Sequence, residues 1–395
     1  MLISTFNKKT IELNLPQRFE GKNLCALPAL IDPHVHFRTP GAEHKENWQT
    51  GAEAAIAGGY TTVFDMPNNT PVITDHQSLT EKKELINKQL TEANIPLNYY
   101  LYLGATPNNY AEFAKCKNEI IGVKLFMGAS TGDLLVDKIE DQEKIFQVCA
   151  ENNLILAIHA ESEKVITNLR FDIPDPLITD HSKIRSREAA IEAVSQAISL
   201  AKKYNTKLYI CHVSTIEEVE IIKQAKTEGV KVYAEVTPHH LFLSENDYNR
   251  LGTLGQMNPP LRTKDDQIAL WEAILDGTID TIGTDHAPHT LEEKIKPYPN
   301  SPSGVPGLET TLSLLLNEYN LGKISLEKIV ELTHVNIQKI FNIPETNDLV
   351  IINLELKKEV KNENLKTKCG WSPFAGMKLQ GWPVATILDK KTYLI

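Results

Sequence analysis

The sequence predicts a TIM (β/α)8 barrel with a small β-module formed by its two ends, and three observations lead there. Eight short β-rich runs alternate with longer helix-patterned ones, the signature of parallel α/β architecture. The eight units fill about 310 residues, in keeping with a barrel of roughly 250 residues plus insertions. Most of the runs end in a residue able to bind a metal or carry a proton, and barrel chemistry gathers at that end of the strands. A doubly wound open sheet is the competing fold, but no glycine-rich dinucleotide turn follows the first strand.

In chain order the candidate strands are "ALPALIDPHVHF", "YTTVFDM", "LNYYLYLGA", "IIGVKLFMG", "LILAIHAE", "KLYICHVS", "KVYAEVTPHH" and "DTIGTDHAPH". Between them lie helical stretches such as "KENWQTGAEAAIAGG", "DQEKIFQVCAENN", "SREAAIEAVSQAISLAKKY" and "IEEVEIIKQAKTEG", several ending in Gly or Asn as helix C-termini do. "KIKPYPNSPSGVPG" reads as a loop after the eighth strand. The barrel is assigned to residues 30–345. Residues 1–29 and 346–395 form the module: "ISTFNKKTIELNL" reads as a hairpin, "NDLVIINLEL" and "WPVATILDKKTYLI" as strands.

Bulk properties narrow the function. The chain has 395 residues, 42% apolar and 23% charged, as in an ordinary globular protein. A net charge of −10 argues against nucleic acid and membrane surfaces as partners, and means that an anionic substrate needs a local cationic clamp. Five scattered cysteines form neither a disulfide framework nor a paired-cysteine zinc site, which points to a reducing, cytoplasmic setting. There is no signal-peptide pattern and no apolar run of about 18 residues.

The candidate site follows from the strand ends. Strand one carries His34 and His36, with Arg38 two residues on; on a strand all three share a face. Strand four carries Lys124, strand five His159, strand six His212, and strand eight Asp285 and His289. Neutral imidazoles with a carboxylate suit zinc-like ions. Four imidazoles and one carboxylate exceed a single tetrahedral ion and suit two ions about 3.5–4 Å apart. A lysine there is either a buried cation paired to a carboxylate or an amine that adds CO2 to become a bridging carbamate. Cys211 reads as a small buried hydrophobe turned away from His212. His239 and His240 read as supporting residues at the rim, and His286 as facing away from Asp285. His44, His76, His181 and His334 read as surface or packing residues, while Trp371 and Trp382 anchor the module onto the barrel.

"DPHVHFRTPG", "TTVFDMPNNTP", "GVKLFMGAS", "HAES", "CHVS", "EVTPHH", "QMNPPLR", "GTDHAPH" and "CGWSPFAGMKLQGWPVATI", in this order, resemble the dihydroorotases of the amidohydrolase superfamily. The resemblance runs from about residue 25 to the C-terminal motif. It implies two zinc ions: His34, His36 and Asp285 on the more buried one, His159 and His212 on the second, with carbamylated Lys124 between them. It implies that Arg38, Asn68, His289 and Asn258 hold the substrate. A bridging hydroxide would attack the ring amide of L-dihydroorotate, with Asp285 as general base and then general acid; the reverse cyclises N-carbamoyl-L-aspartate in de novo pyrimidine synthesis. The expected partners are this small-molecule substrate, a second copy in a homodimer, and aspartate carbamoyltransferase by association. Residues 127–135 are the candidate for a loop folding over substrate. A hydantoinase or allantoinase shares the same metals, but neutral hydantoins offer no carboxylate for Arg38. A silent structural homologue partnering aspartate carbamoyltransferase would be expected to have lost ligands, and every ligand is present.

Overall fold

The computed structural model describes residues 1–20, 22–129 and 134–395. Eight parallel strands form one sheet in sequential order: β4 (Leu30–Val35), β5 (Tyr60–Asp65), β6 (Asn98–Gly104), β7 (Gly122–Phe126), β8 (Ile155–His159), β9 (Lys207–Ile210), β10 (Val232–Val236) and β11 (Thr281–Ile282). Registers such as Lys124↔Ala157, Ile158↔Ile210 and Glu235↔Thr281 align the C-terminal ends at one rim. A bridge between Val35 and His286 joins the last strand's extension to the first, with the His36 N–H donating to the His286 carbonyl at 2.8 Å. Each of the eight runs read from the sequence contains one of these strands, and the first also takes in residues 26–28 of a second sheet.

The barrel is filled at its lower end by aromatic side chains. Phe64, Tyr102 and Tyr209 pack with Ile31, Ile155 and Ala157, and the Phe341 ring lies 5.0 Å from Phe64 and 5.1 Å from Tyr209. Alternate strand positions make this layer, because every second side chain points inward. With the lower end plugged, the upper rim is where polar side chains can reach a ligand.

The helices between strands start and stop where their sequences dictate. Trp48–Gly58 begins at Asn47, whose side chain accepts the Thr50 N–H at 2.9 Å, and ends at Gly59 with φ +88°. Arg187–Tyr204 ends on Asn205 in the same left-handed conformation, φ +59°. Their apolar faces join the strands' outward side chains in the largest core cluster.

The chain ends build a six-stranded sheet. Its strands are β1 (Leu2–Thr5), β2 (Thr10–Glu12), β3 (Leu24–Pro28), β12 (Leu349–Glu359), β13 (Lys378–Leu388) and β14 (Lys391–Leu394), in the order β14-β13-β12-β3-β1-β2. The N-terminal hairpin pairs Leu2↔Glu12 and Ser4↔Thr10 as its sequence suggests. Only Ala29 separates β3 from β4, and the Ala29 N–H donates to Asp348 at 3.0 Å, so the sheet is tied to the barrel's first strand. The Thr386 hydroxyl donates to the Ile56 carbonyl at 2.7 Å and adds a second tie. A Cβ on Gly59 would lie 2.8 Å from Val350, so sheet and helix approach too closely there for any side chain. No helix among the described residues is long and apolar enough to cross a membrane.

Candidate active site

The rim draws its polar side chains from seven of the eight strands or their continuations. His34 lies in β4, with His36 and Arg38 just beyond it. Lys124 lies in β7, His159 ends β8, Glu235 lies in β10, and His212 and Asp285 follow β9 and β11. Asn68 follows β5. Three of these residues have left-handed backbones: Arg38 at φ +59°, His212 at +41° and Asp285 at +46°. Such conformations cost of the order of 1–3 kcal/mol each and gather at functional sites. They also correct two sequence expectations. β4 stops at Val35, so Arg38 reaches the rim through a turn and not by strand alternation. Cys211 does not turn away from the centre: β9 stops at Ile210 and the chain turns at His212, so both side chains point inward. The Cys211 sulfur lies 2.9 Å from Lys124 Nζ.

Two histidine pairs face each other across the barrel mouth. His34 Nε2 and His36 Nε2 lie 3.2 and 3.0 Å from the same Asp285 oxygen, Oδ1. On the other side His159 Nδ1 and His212 Nε2 stand 3.0 Å apart. The His34 ring lies 5.5 Å from that of His212, which joins the two halves. All these groups are buried. The donor set fits a divalent cation: one atom each of His34, His36 and Asp285 lie within 4.8 Å of one another. The His34 and His36 nitrogens facing away are held by carboxylate and amide oxygens, the usual support for a ligating imidazole. His34 Nδ1 is 2.8 Å from Glu235 Oε1, and His36 Nδ1 is 2.7 Å from Asn68 Oδ1. Lys124, as an unmodified lysine, has its amine buried beside Cys211 and over the Phe126 ring at 5.1 Å.

Electrostatics follow burial and pairing. Burial works against charge on Asp285, but the surrounding imidazoles, His34 first, hold its carboxyl well below the usual range. Burial likewise opposes charge on His34, and the Glu235 and Asp285 carboxylates outweigh it, so its pKa stands well above the ordinary value. Burial pushes His36 down to about 4. His212 is driven well below its ordinary value by burial and then by His159 and Lys124.

Three buried carboxylates that sequence reasoning passed over brace the ring. Glu235 accepts from the Tyr209 hydroxyl at 2.9 Å and the His212 N–H at 3.1 Å, besides contacting His34. Glu161 sits 2.9 Å from His159 Nε2 and takes the Arg185 guanidinium on the same oxygen. Asp32 accepts the His34 N–H at 3.1 Å and the Thr284 N–H and hydroxyl, tying the first strand to the loop that presents Asp285. The available signal was a charged residue inside an apolar run: "KVYAEV" for Glu235, and "HAE", two positions beyond a histidine, for Glu161.

A small cleft opens over this ring, lined by His36, Arg38, Asn68, Asn258, Asp285 and Ser303 among others. Arg38 Nε donates to the Pro288 carbonyl at 3.0 Å, and its Nη2 lies 3.0 Å from His289 Nε2. Buried Asn258 Oδ1 finds no hydrogen-bond partner among the described residues. Thus the cleft gathers Arg38, Asn68 and Asn258, with His289 behind Arg38. His239 and His240 are buried at the rim; His240 Nδ1 pairs with the Thr237 hydroxyl at 2.7 Å. His286 turns to buried Glu46 at 3.4 Å, away from Asp285. Trp371 Nε1 donates to the His289 carbonyl at 2.8 Å, so the C-terminal segment packs against the site itself. The centre of the 127–135 loop, residues 130–133, lies outside the described residues.

Comparison with known proteins agrees with this geometry. Residues 25–389 match the amidohydrolase family model. A dihydroorotase of Methanosphaera stadtmanae is 35% identical over 407 aligned positions, covering 96% of this chain and 88% of that protein. Multifunctional protein CAD of Squalus acanthias is 37% identical over 360 positions, covering 91% of this chain and 14% of that one. Among solved structures, the L-hydantoinase (dihydropyrimidinase) of Arthrobacter aurescens superposes with a TM-score of 0.87 at 29% identity, covering 95% of this chain and 87% of that one. On its sequence match and on the barrel that carries its histidines, this chain belongs to the amidohydrolase family.

Proposed function

We propose that the protein is a dihydroorotase, interconverting N-carbamoyl-L-aspartate and L-dihydroorotate. The observation that carries the reading is the single Asp285 oxygen between the His34 and His36 nitrogens, at the floor of a cleft walled by Arg38. Similarity to a dihydroorotase over 96% of this chain supports the same reaction. The similar fold of an L-hydantoinase supports ring-amide hydrolysis in general. Arg38 favours the carboxylate-bearing ring, because a neutral hydantoin leaves a buried guanidinium without its anion.

In this reading His34, His36, Asp285, His159 and His212 would hold two zinc ions, and Lys124, once carbamylated, would supply the ligand they share. When bound, such ions acidify water and polarise an amide carbonyl. The chain's own residues do the rest. Asp285, ionised within its imidazole frame, takes a proton during attack on the ring amide and delivers it to the departing ring nitrogen. Arg38 binds the substrate's carboxylate, supplying the local positive charge that a chain of net charge −10 otherwise lacks. Asn68 and Asn258 orient the ring by amide hydrogen bonds, and His289 stands behind the Arg38 guanidinium. Glu235 and Glu161 hold imidazoles in position.

The same reading divides the chain into a barrel at 30–345 and a β-module at 1–29 and 346–395. It includes a cytoplasmic setting, supported by five free cysteines, and a homodimer that associates with aspartate carbamoyltransferase. The matching stretch inside a larger multifunctional protein supports such association. The reaction is tested by incubating zinc-loaded protein with N-carbamoyl-L-aspartate. The ring product should appear, and Asp285→Asn should abolish it; ring formation by the variant at more than a few per cent of the parent's rate would remove Asp285 from proton transfer.

A further inference from the structure

Beside the cleft, His289 stands between two cations. Lys45 Nζ is 3.1 Å from its Nδ1 and Arg38 Nη2 is 3.0 Å from its Nε2. Two acceptors compete for the ring's proton: the Ser303 carbonyl, 3.0 Å from Nε2, and Glu293 Oε2, 3.8 Å from Nδ1. Burial and then the charge of Arg38 hold His289 well below its ordinary pKa, so the ring carries one proton and has one tautomer to choose.

Lysine can only donate. If Nδ1 accepts from Lys45, the proton is on Nε2 and goes to Ser303, and both hydrogen bonds fall at 3.0–3.1 Å. The other tautomer would need Nδ1–H to reach Glu293 across 3.8 Å, beyond hydrogen-bonding range, while Lys45 pressed an N–H against it. The choice has a consequence for Arg38. With the proton on Nε2, His289 makes two hydrogen bonds but offers Arg38 no acceptor; the Nη2 and Nε2 donors then face each other at 3.0 Å, a contact relieved when Nη2 turns to an anion in the cleft. With the proton on Nδ1, Nε2 becomes an acceptor and captures Nη2.

We propose that Lys45 is a positioning residue that sets the His289 tautomer and so keeps the Arg38 fork available for the substrate's carboxylate. Glu293, 3.1 Å from Lys45 Nζ, balances the lysine's charge, so Lys45 acts through the direction of its hydrogen bond more than through its field. The substrate assignment rests on the dihydroorotase reading; the tautomer does not.

The test uses the zinc-loaded protein and two readouts. Nitrogen-15 spectra of histidine-labelled protein, with His289 assigned by difference from His289→Asn, should show a neutral ring protonated on Nε2. Lys45→Met, which keeps the apolar stem, should shift that ring towards the Nδ1–H form. Steady-state assays of Lys45→Met should show KM for L-dihydroorotate rising about tenfold with a smaller change in kcat, and Lys45→Arg should restore most of the loss. An Nδ1–H ring in the parent protein overturns the proposal, as does a Lys45→Met variant with unchanged tautomer and KM. If the parent protein does not turn over L-dihydroorotate, the reaction assigned above fails, while the spectra still decide the role of Lys45.

Discussion

Glu235 is the residue whose removal should do most damage without touching substrate. It is fully buried and receives three donors: His34 Nδ1 at 2.8 Å, the Tyr209 hydroxyl at 2.9 Å and the His212 N–H at 3.1 Å. Leaving one buried donor unsatisfied costs about 1–3 kcal/mol. Tyr209 retains Thr281 at 2.7 Å, so Glu235→Ala strands two donors, and about 2–6 kcal/mol of stability should be lost in metal-free protein. Freed of its brace, His34 can rotate or take the wrong tautomer, and metal affinity should fall about 10–100-fold. Glu235→Gln keeps an oxygen for His34 and His212 and loses only the charge, so it should cost about 1–2 kcal/mol. Urea unfolding of the apo-protein and zinc titration against a competing chelator measure both quantities. A Glu235→Ala protein with stability within about 1 kcal/mol of the parent and unchanged zinc affinity would refute the bracing role.

Four further perturbations follow from the same geometry. Gly283→Ala should reproduce much of the Glu235 defect, because a Cβ there would sit 2.3 Å from Glu235 Oε2, which its hydrogen bonds hold in place; zinc affinity and melting temperature report it. Lys124→Ala should lose both activity and zinc, and a full metal count by elemental analysis would sink the bridging role. Arg38→Ala should raise KM by the equivalent of about 2–3 kcal/mol, the worth of a charge-assisted pair, with the metal count unchanged. Buried His181 has its pKa lowered to about 3, by burial first and Arg185 next, against about 6.5 in the unfolded chain. Between those values the unfolded chain binds the extra proton, so stability is full above pH 6.5 and falls as the solution is acidified. His181→Gln should therefore flatten the apo-protein's stability profile by about 1.4 kcal/mol per pH unit inside that window; an unchanged slope contradicts it.

Strands and ligand-bearing ends were legible because a barrel strand is a short apolar run whose last residues reach the mouth, and nothing but chemistry explains His34, His159 or Asp285 there. What escaped was whatever depends on backbone departing from its strand. Alternation turned Cys211 outward, but the left-handed His212 puts both side chains inside. The same local turn, not pleating, brings Arg38 to the rim. The bracing carboxylates were hidden for a different reason. Glu235 meets His34 across 201 residues of sequence, so that partner is not visible locally; Glu161 lies two residues from His159, but the Arg185 that holds it comes 24 residues later. Lys45 opens a helical stretch in the sequence and has no visible partner there; the fold sets it against His289, 244 residues away.

The central claim is that this family member's cleft is built for a ring bearing a carboxylate. The direct measurement is the ratio of kcat/KM for L-dihydroorotate to that for hydantoin, on one zinc-analysed preparation, repeated with Arg38→Ala. The parent protein should favour L-dihydroorotate by at least about 30-fold, the equivalent of about 2 kcal/mol for a charge-assisted pair, and the variant should lose most of that preference. Turnover of hydantoin with none of L-dihydroorotate would contradict it.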